Sequence, residues 1–288
     1  MRPDASRRAV LAGAAASLCA GPALAADRLG AIEAQVSGRL GVMALDVASG
    51  ARLAHRADER FPMCSTFKAM AAAAALRRVQ AGVLRLDTFV RYGEADLLSY
   101  APVTKAHVAE GGLRLLDLLA AAVELSDNTA ANLILAAIGG PAGWTRYVRG
   151  LGDGASRLDR NEPTLNDAVP GDPRDTTTPA AMAADLRAVL LGEALAPRYR
   201  DRLIGWMVAG QTGGKRLRAG LPASWRVGDK TGTGDHGTAN DIAVAWTPAG
   251  PIVIACYLTG AEAASSDARE AAIAAVGQLV AQTFRPHG

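Results

Sequence analysis

The sequence predicts an α+β protein of two lobes, and three observations carry that expectation. Strand-like segments gather toward the two ends of the chain, helical periodicity dominates the middle, and consecutive strands are joined by turns too short for a helical crossover. Short turns dictate antiparallel pairing, so the expected sheet is antiparallel and five-stranded. The simplest assembly puts both chain ends in a lobe of sheet and helices and inserts a helical lobe between them, with a cleft at the junction suited to a ligand. The first lobe takes residues 26–60 and 212–288. The helical lobe takes 61–211 and includes an irregular loop over 157–175.

Each element follows from its local chemistry. "RLGAIEAQVSGRL" has the spacing of an amphipathic helix. "GVMALDV" and "ARLAHRA", separated by "ASG", read as a hairpin. "STFKAMAAAAALRRVQAG" opens on a residue suited to capping a helix and stops at a glycine, and its interior is apolar nearly all round, as in a buried helix. "LRLLDLLAAAVEL" and "NTAANLILAAIGG" predict two helices either side of "SDN". Residues 152–179 are rich in Asp, Gly, Pro and Thr and predict a long ordered loop. Helices resume at "PAAMAADLRAVLLG" and "PRYRDRLIGWMVAG". Strands return at "WRVGDKTGT", "NDIAVAWTP" and "PIVIACYLTG", and a last helix is expected from about Ser266 to Thr283.

The first 25 residues have the character of a targeting segment. Arg7 and Arg8 supply the charged start, Ala9 to Gly21 the apolar stretch, and Ala23-Leu24-Ala25 a small-x-small cleavage site. The paired arginines favour twin-arginine export over the general route. Leu18 before Cys19 is too large for the usual lipidation motif, and no other stretch is long enough to span a bilayer, so no membrane anchor is expected. Cleavage after Ala25 removes three arginines and one aspartate, taking the formal charge from +3 to +1. A nearly neutral chain offers no electrostatic case for nucleic acid. The expectation is a periplasmic monomer acting on a small molecule. Cys64 and Cys256 remain, in a helix start and an apolar strand, and are expected as free buried thiols.

Lysine usage points to chemistry. Only Lys68, Lys105, Lys215 and Lys230 stand among 31 basic residues. Where arginine serves as the ordinary cation, a retained lysine suggests a need for what arginine cannot do, which is to lose a proton or act as a compact point charge. Lys105 and Lys215 read as surface residues. Lys68 lies three residues after Ser65, so both face one side of a helix, and burial there lowers the amine's pKa. That arrangement can activate a serine, although a capping serine beside a snorkelling lysine has the same sequence. "SDN" at 126–128 fits a helix cap equally well. "KTGTG" at 230–234 fits a strand end, or a backbone that closely approaches a carboxylate ligand. The four histidines lack metal-ligand spacing, and neither a Gly-x-Ser-x-Gly elbow nor a phosphate or dinucleotide loop occurs. No metal and no cofactor are expected.

Taken together, "STFK", "SDN" and "KTG" form the set used by class A β-lactamases and penicillin-binding proteins. With "MCSTFK", "EPTLN", "PGDPRDTT", "AGLPASW" and "GDKTGTGD", the whole chain after the targeting segment resembles the class A serine β-lactamase family, near its extended-spectrum members. The resemblance implies the serine β-lactamase and penicillin-binding-protein fold and hydrolysis of penicillins and cephalosporins through a serine acyl-enzyme. It makes Ser65 the nucleophile, with Lys68 and Glu162 as candidates for its activation. It makes Ser126 the donor to the departing nitrogen, and Glu162 with Asn166 the holders of the hydrolytic water. The backbone amides of Ser65 and Thr233 become the oxyanion hole. Lys230, Thr231, Gly232 and Thr233 line the substrate carboxylate site, Asn128 meets the side-chain amide, and Tyr100 stands at the cleft mouth. It further implies a cis bond before Pro163 and an Arg160–Asp175 ion pair at the loop neck. Carbapenem-hydrolysing members often bridge the position of Cys64 to one that reads Gly234 here, so that bridge cannot form. Arg216 resembles a carboxylate-binding arginine of such members, or is a plain surface residue. A D-alanyl-D-alanine peptidase or a non-hydrolytic β-lactam sensor are the alternative readings. Neither explains both Glu162 and the missing anchor.

Overall fold

The computed structural model describes residues 22–284. Arg7, Arg8, Cys19 and the rest of residues 1–21 of the expected targeting segment lie outside the described residues. α1 (Pro22–Val36) begins ahead of Ala25, so the expected cleavage point falls within its first turn. Leu29, Ile32 and Val36, spaced by three and four residues, turn its apolar stripe inward.

β1 (Arg39–Asp46) and β2 (Arg52–His55) form the expected hairpin, with Met43 opposite Ala54 and Leu45 opposite Arg52. β3 (Phe61–Pro62) is a two-residue strand leading into the first long helix of the middle segment, α2 (Phe67–Gln80). Phe67 to Leu76 of α2 are buried in unbroken succession. The run of alanines combines the best helix propensity with side chains small enough for neighbouring helices to close in from every side. Ser65 is not the side-chain cap expected of it. Cys64–Thr66 form a tight turn of 3₁₀ helix ahead of α2, without a side-chain capping bond.

β4 (Phe89–Arg91), α3 (Pro102–Ala106) and β5 (Gly112–Arg114) come next. β5 takes the first residues of "LRLLDLLAAAVEL" into a ribbon with β4. α4 (Leu115–Glu124) and α5 (Asn128–Ile138) flank "SDN", and the side chain that caps α5 is Asp127, which accepts from Ala130 N. α6 (Gly140–Leu151) is a helix the sequence patterning did not single out, because three glycines and a proline within "GPAGWTRYVRGL" mask its periodicity. Its core contacts are Trp144 and Val148, four residues apart, and the Trp144 indole N–H donates to Phe67 O. After the loop, β6 (Thr176–Thr177) pairs with β3. α7 (Pro179–Leu190) and α8 (Pro197–Val208) then follow, each with proline in its first turn.

α9 (Leu217–Gly220), β7 (Arg226–Gly234), β8 (Thr238–Thr247), β9 (Gly250–Thr259) and α10 (Ser266–Thr283) complete the chain. The main sheet runs β2-β1-β9-β8-β7, with every neighbouring pair antiparallel, so the first hairpin joins the last meander through β1 and β9. β9 sits in the middle and is buried on both faces. Ile252, Ile254, Cys256 and Leu258 pack on α1, α9 and α10, whereas Val253, Ala255 and Tyr257 join the larger core around α2. This leaves β7 as an edge strand whose far end, Lys230–Gly234, lies against the turn preceding α2.

Candidate active site

The close approach of β7 to the start of α2 requires glycine. A Cβ at Gly232 would lie 2.7 Å from Met63 O and 3.2 Å from Ser65 N, so any side chain would push the strand away from Ser65. A Cβ at Gly234 would lie 2.6 Å from Cys64 Sγ, so these two positions face each other, and glycine leaves Cys64 without a bridging partner. Cys64 and Cys256 are both free and buried.

Two residues beside the cleft hold left-handed backbone although neither is glycine: Cys64 (φ 45°) and Ser126 (φ 61°). Such conformations cost about 1–3 kcal/mol each and persist where surroundings enforce them. Around Ser126 the enforcing group is Asp127. Its buried carboxylate accepts from Ala130 N, Val103 N, Thr104 N and Thr104 Oγ1, locking the α4–α5 link onto α3.

A cavity of about 320 Å³ opens between β7 and the helices. Ser65, Tyr100, Ser126, Asn128, Asn166, Arg216, Thr231, Gly232 and Thr233 line it, together with Thr212. Tyr100 is half exposed at its mouth, and its carbonyl accepts from Asn128 N at 3.0 Å. Lys68, Glu162 and Lys230 lie just behind this wall, nearly or wholly buried. Every expected site residue is therefore either on the cavity or in contact with a residue that is.

Lys68 Nζ donates to Ser126 O at 2.8 Å and Asn128 Oδ1 at 2.6 Å, and pairs with Glu162 Oε1 at 2.9 Å. With Ser126 Oγ at 3.4 Å this makes four acceptors, one more than an ammonium has hydrogens. Burial pushes this amine below its usual range, while the Glu162 carboxylate opposes the shift. Ser65 Oγ donates to the same Glu162 Oε1 at 3.3 Å. Ser126 Oγ receives Lys230 Nζ at 3.0 Å and Lys68 Nζ at 3.4 Å. Burial, with the Lys68 charge adding to it, lowers Lys230 to about 7.

Glu162 is held from both sides. Its peptide is bracketed by Asn132, whose Nδ2 donates to Glu162 O and whose Oδ1 accepts from Glu162 N, both at 2.9 Å. Asn166 Nδ2 donates to Glu162 Oε2, Asn166 O accepts from Asp235 N, and the Glu162–Pro163 bond is cis. At the neck, Arg160 Nε meets Asp175 Oδ2 at 2.6 Å, and Asp175 Oδ1 also accepts from the amides of Asp159 and Arg160. Asn132 escaped the reading of the sequence. The signal was present, since it lies one helical turn beyond Asn128 on the same face of α5.

Arg216 is not a surface residue. It is 6% exposed, and NH1 donates to Gly232 O and Asn240 O while NH2 donates to Thr233 Oγ1, all at 2.8 Å. Among the described residues no group of three or more His, Cys, Asp or Glu side chains could hold a metal ion, and no helix is long and apolar enough to cross a membrane.

A serine at the start of a buried helix, backed by lysine and carboxylate and faced by a Lys-Thr-Gly edge strand, defines a serine–lysine acyl-transfer enzyme. The model of the β-lactamase enzyme family matches residues 24–284. The chain is 52% identical over 241 residues to β-lactamase AST-1 of Nocardia asteroides, covering 83% of this chain and 77% of that one. It is 47% identical over 260 residues to β-lactamase CTX-M-8 of Citrobacter amalonaticus, covering 90% and 88%. A solved structure of an ancestral (GNCA) class A β-lactamase superposes with a TM-score of 0.88 at 59% identity, covering 90% of this chain and all of that one. The chain belongs to the β-lactamase enzyme family, in its class A.

Proposed function

We propose that this enzyme opens the β-lactam amide of penicillins and cephalosporins through an acyl-enzyme on Ser65, and so confers β-lactam resistance. The observation that carries the reading is the shared oxygen Glu162 Oε1, contacted by both Ser65 Oγ and Lys68 Nζ. That oxygen puts Glu162, and Lys68 behind it, in line to take the Ser65 proton, and with Glu162 removed Lys68 is left as the base for acylation.

Ser65 Oγ attacks the lactam carbonyl, and the amides of Ser65 and Thr233 receive the developing oxyanion. Lys230 Nζ donates to Ser126 Oγ and occupies one of its lone pairs, which leaves the hydroxyl hydrogen free to turn toward the departing nitrogen. Lys230, Thr231, Gly232, Thr233 and Arg216 favour a carboxylate at the β7 end, Asn128 an amide, and Tyr100 the entrance. In the second half-reaction Glu162 and Asn166 position the water that hydrolyses the ester.

Glu162→Ala is expected to react with a penicillin at Ser65 and then to retain it, with turnover down at least about a thousandfold for loss of a positioned base and its water. Intact-protein mass spectrometry reads this as a long-lived adduct of full substrate mass. Near wild-type turnover without an adduct sinks the assignment. Residues 1–25 we assign to periplasmic export with cleavage after Ala25, and the mature enzyme to a monomeric state.

A further inference from the structure

We propose that a concavity beside the loop neck, on the face formed by α6, binds a compact anion carrying two or more linked phosphate groups. The concavity has a volume of about 430 Å³, and Arg60, Thr145, Arg146, Arg149, Arg157 and Asp159 line it. Arg146 and Arg149 are one turn apart on α6 and share a face. Arg60 comes from the approach to β3, and Arg157 from the start of the loop. Four guanidinium groups from three separate parts of the chain therefore converge.

Only one of the four has a carboxylate partner among the described residues. Arg157 pairs with Asp159 through Nε at 2.9 Å and NH2 at 2.6 Å. Arg60 donates to two neutral oxygens, Ala155 O at 2.8 Å and Thr176 Oγ1 at 3.1 Å, and Arg149 donates to Asp153 O. These bonds orient the guanidiniums without neutralising them. Arg146 has no hydrogen bond among the described residues. Each of the carboxylates behind the cluster has at least one oxygen engaged, while Asp153 Oδ2 is buried without a partner among the described residues. Asp175 is taken by Arg160 and two amides, and Asp153 Oδ1 accepts from Ala155 N and Ser156 N.

The lining thus carries three charges in excess, and arginine keeps its proton throughout the accessible pH range. Planar guanidinium forks match phosphate oxygens two at a time. One phosphate group brings about 1.5–2 negative charges and leaves part of the excess unmatched, whereas two linked groups balance it. The volume suits a small ligand. Arg60 already holds Ala155 and Thr176, which flank the loop on both sides, and Arg157 stands at its neck. A bound polyphosphate would therefore fasten the segment that carries Glu162, and folding stability should rise with its concentration.

The test is isothermal titration of the purified protein with tripolyphosphate, with sulfate at equal ionic strength and phosphatidate vesicles as separate arms. The expected result is one tripolyphosphate site per chain, at least tenfold tighter than sulfate, with a melting temperature that climbs with ligand. Arg146→Gln together with Arg149→Gln should weaken binding at least tenfold and leave hydrolysis of a chromogenic cephalosporin unchanged. Arg146→Glu alone, which sacrifices no hydrogen bond, should weaken it severalfold if the double variant folds poorly. Equal affinity in wild type and variants, no saturable site, or binding to vesicles but not to tripolyphosphate would overturn the proposal.

Discussion

Replacing Arg216 by alanine tests the wall of the cleft and the fold at once. The guanidinium donates three hydrogen bonds, two of them to the carbonyls of Gly232 and Asn240 on adjacent strands. Leaving buried partners unsatisfied costs about 1–3 kcal/mol each, and the ladder bonds of β7 and β8 remain to hold those carbonyls, so a total loss of about 3–5 kcal/mol is expected. For a chain of this size about 2–4 °C is lost per kcal/mol, which puts the fall in melting temperature at roughly 6–20 °C. In the proposed catalysis, NH2 holds Thr233 Oγ1, and the cation sits beside the strand end proposed to receive the substrate carboxylate. Removing it should lower kcat/KM for an ordinary penicillin by about tenfold or more, at least about 1.4 kcal/mol. Steady-state kinetics below the new melting temperature, run in parallel on the penicillin and its methyl ester, separates the two effects. The ester lacks the carboxylate and should lose much less. Equal losses for both substrates would show that Arg216 acts only through the geometry of β7, and no loss in either would remove it from the site altogether.

Two further outcomes are expected. Lys230 titrates near 7 in the folded chain against about 10.4 when unfolded, so between those values the unfolded state binds the extra proton and this residue's contribution to stability rises with pH. Its value as a carboxylate partner runs the other way: kcat/KM for carboxylate substrates should fall above about pH 7, while Lys230→Arg, which stays charged, should flatten that limb. A limb that persists in the arginine variant assigns the titration to another group. For export, replacing Arg7 and Arg8 together by lysine should block processing after Ala25, because the twin-arginine route reads the guanidinium pair. Normal periplasmic levels of the processed double-lysine protein would assign the chain to the general route.

What the sequence determined by itself is largely periodic or local. The apolar run of "PIVIACYLTG" and the strand-like segments beside it marked the strands, and their short turns set the antiparallel sheet. The unbroken apolar face of "STFKAMAAAAAL" marked α2 as central, and the sparing use of lysine pointed to Lys68 and Lys230. Chemistry that depends on residue type and close spacing stays visible in a linear string. The tertiary structure decided whatever depends on packing between distant segments. Arg216 has the sequence surroundings of a surface turn, and only the meeting of β7 and β8 buries it against two carbonyls. Ser65 reads as a helix cap, yet its hydroxyl goes to Glu162, 97 positions away. Asn132 looks like any polar helix residue until the loop lays the Glu162 peptide across it. α6 was hidden by its glycines, and Trp144 anchors it only because Phe67 O lies within reach. Local free-energy preferences are written along the chain, whereas the partner of a buried polar group is chosen by where the chain returns, and its burial leaves that group no substitute in water.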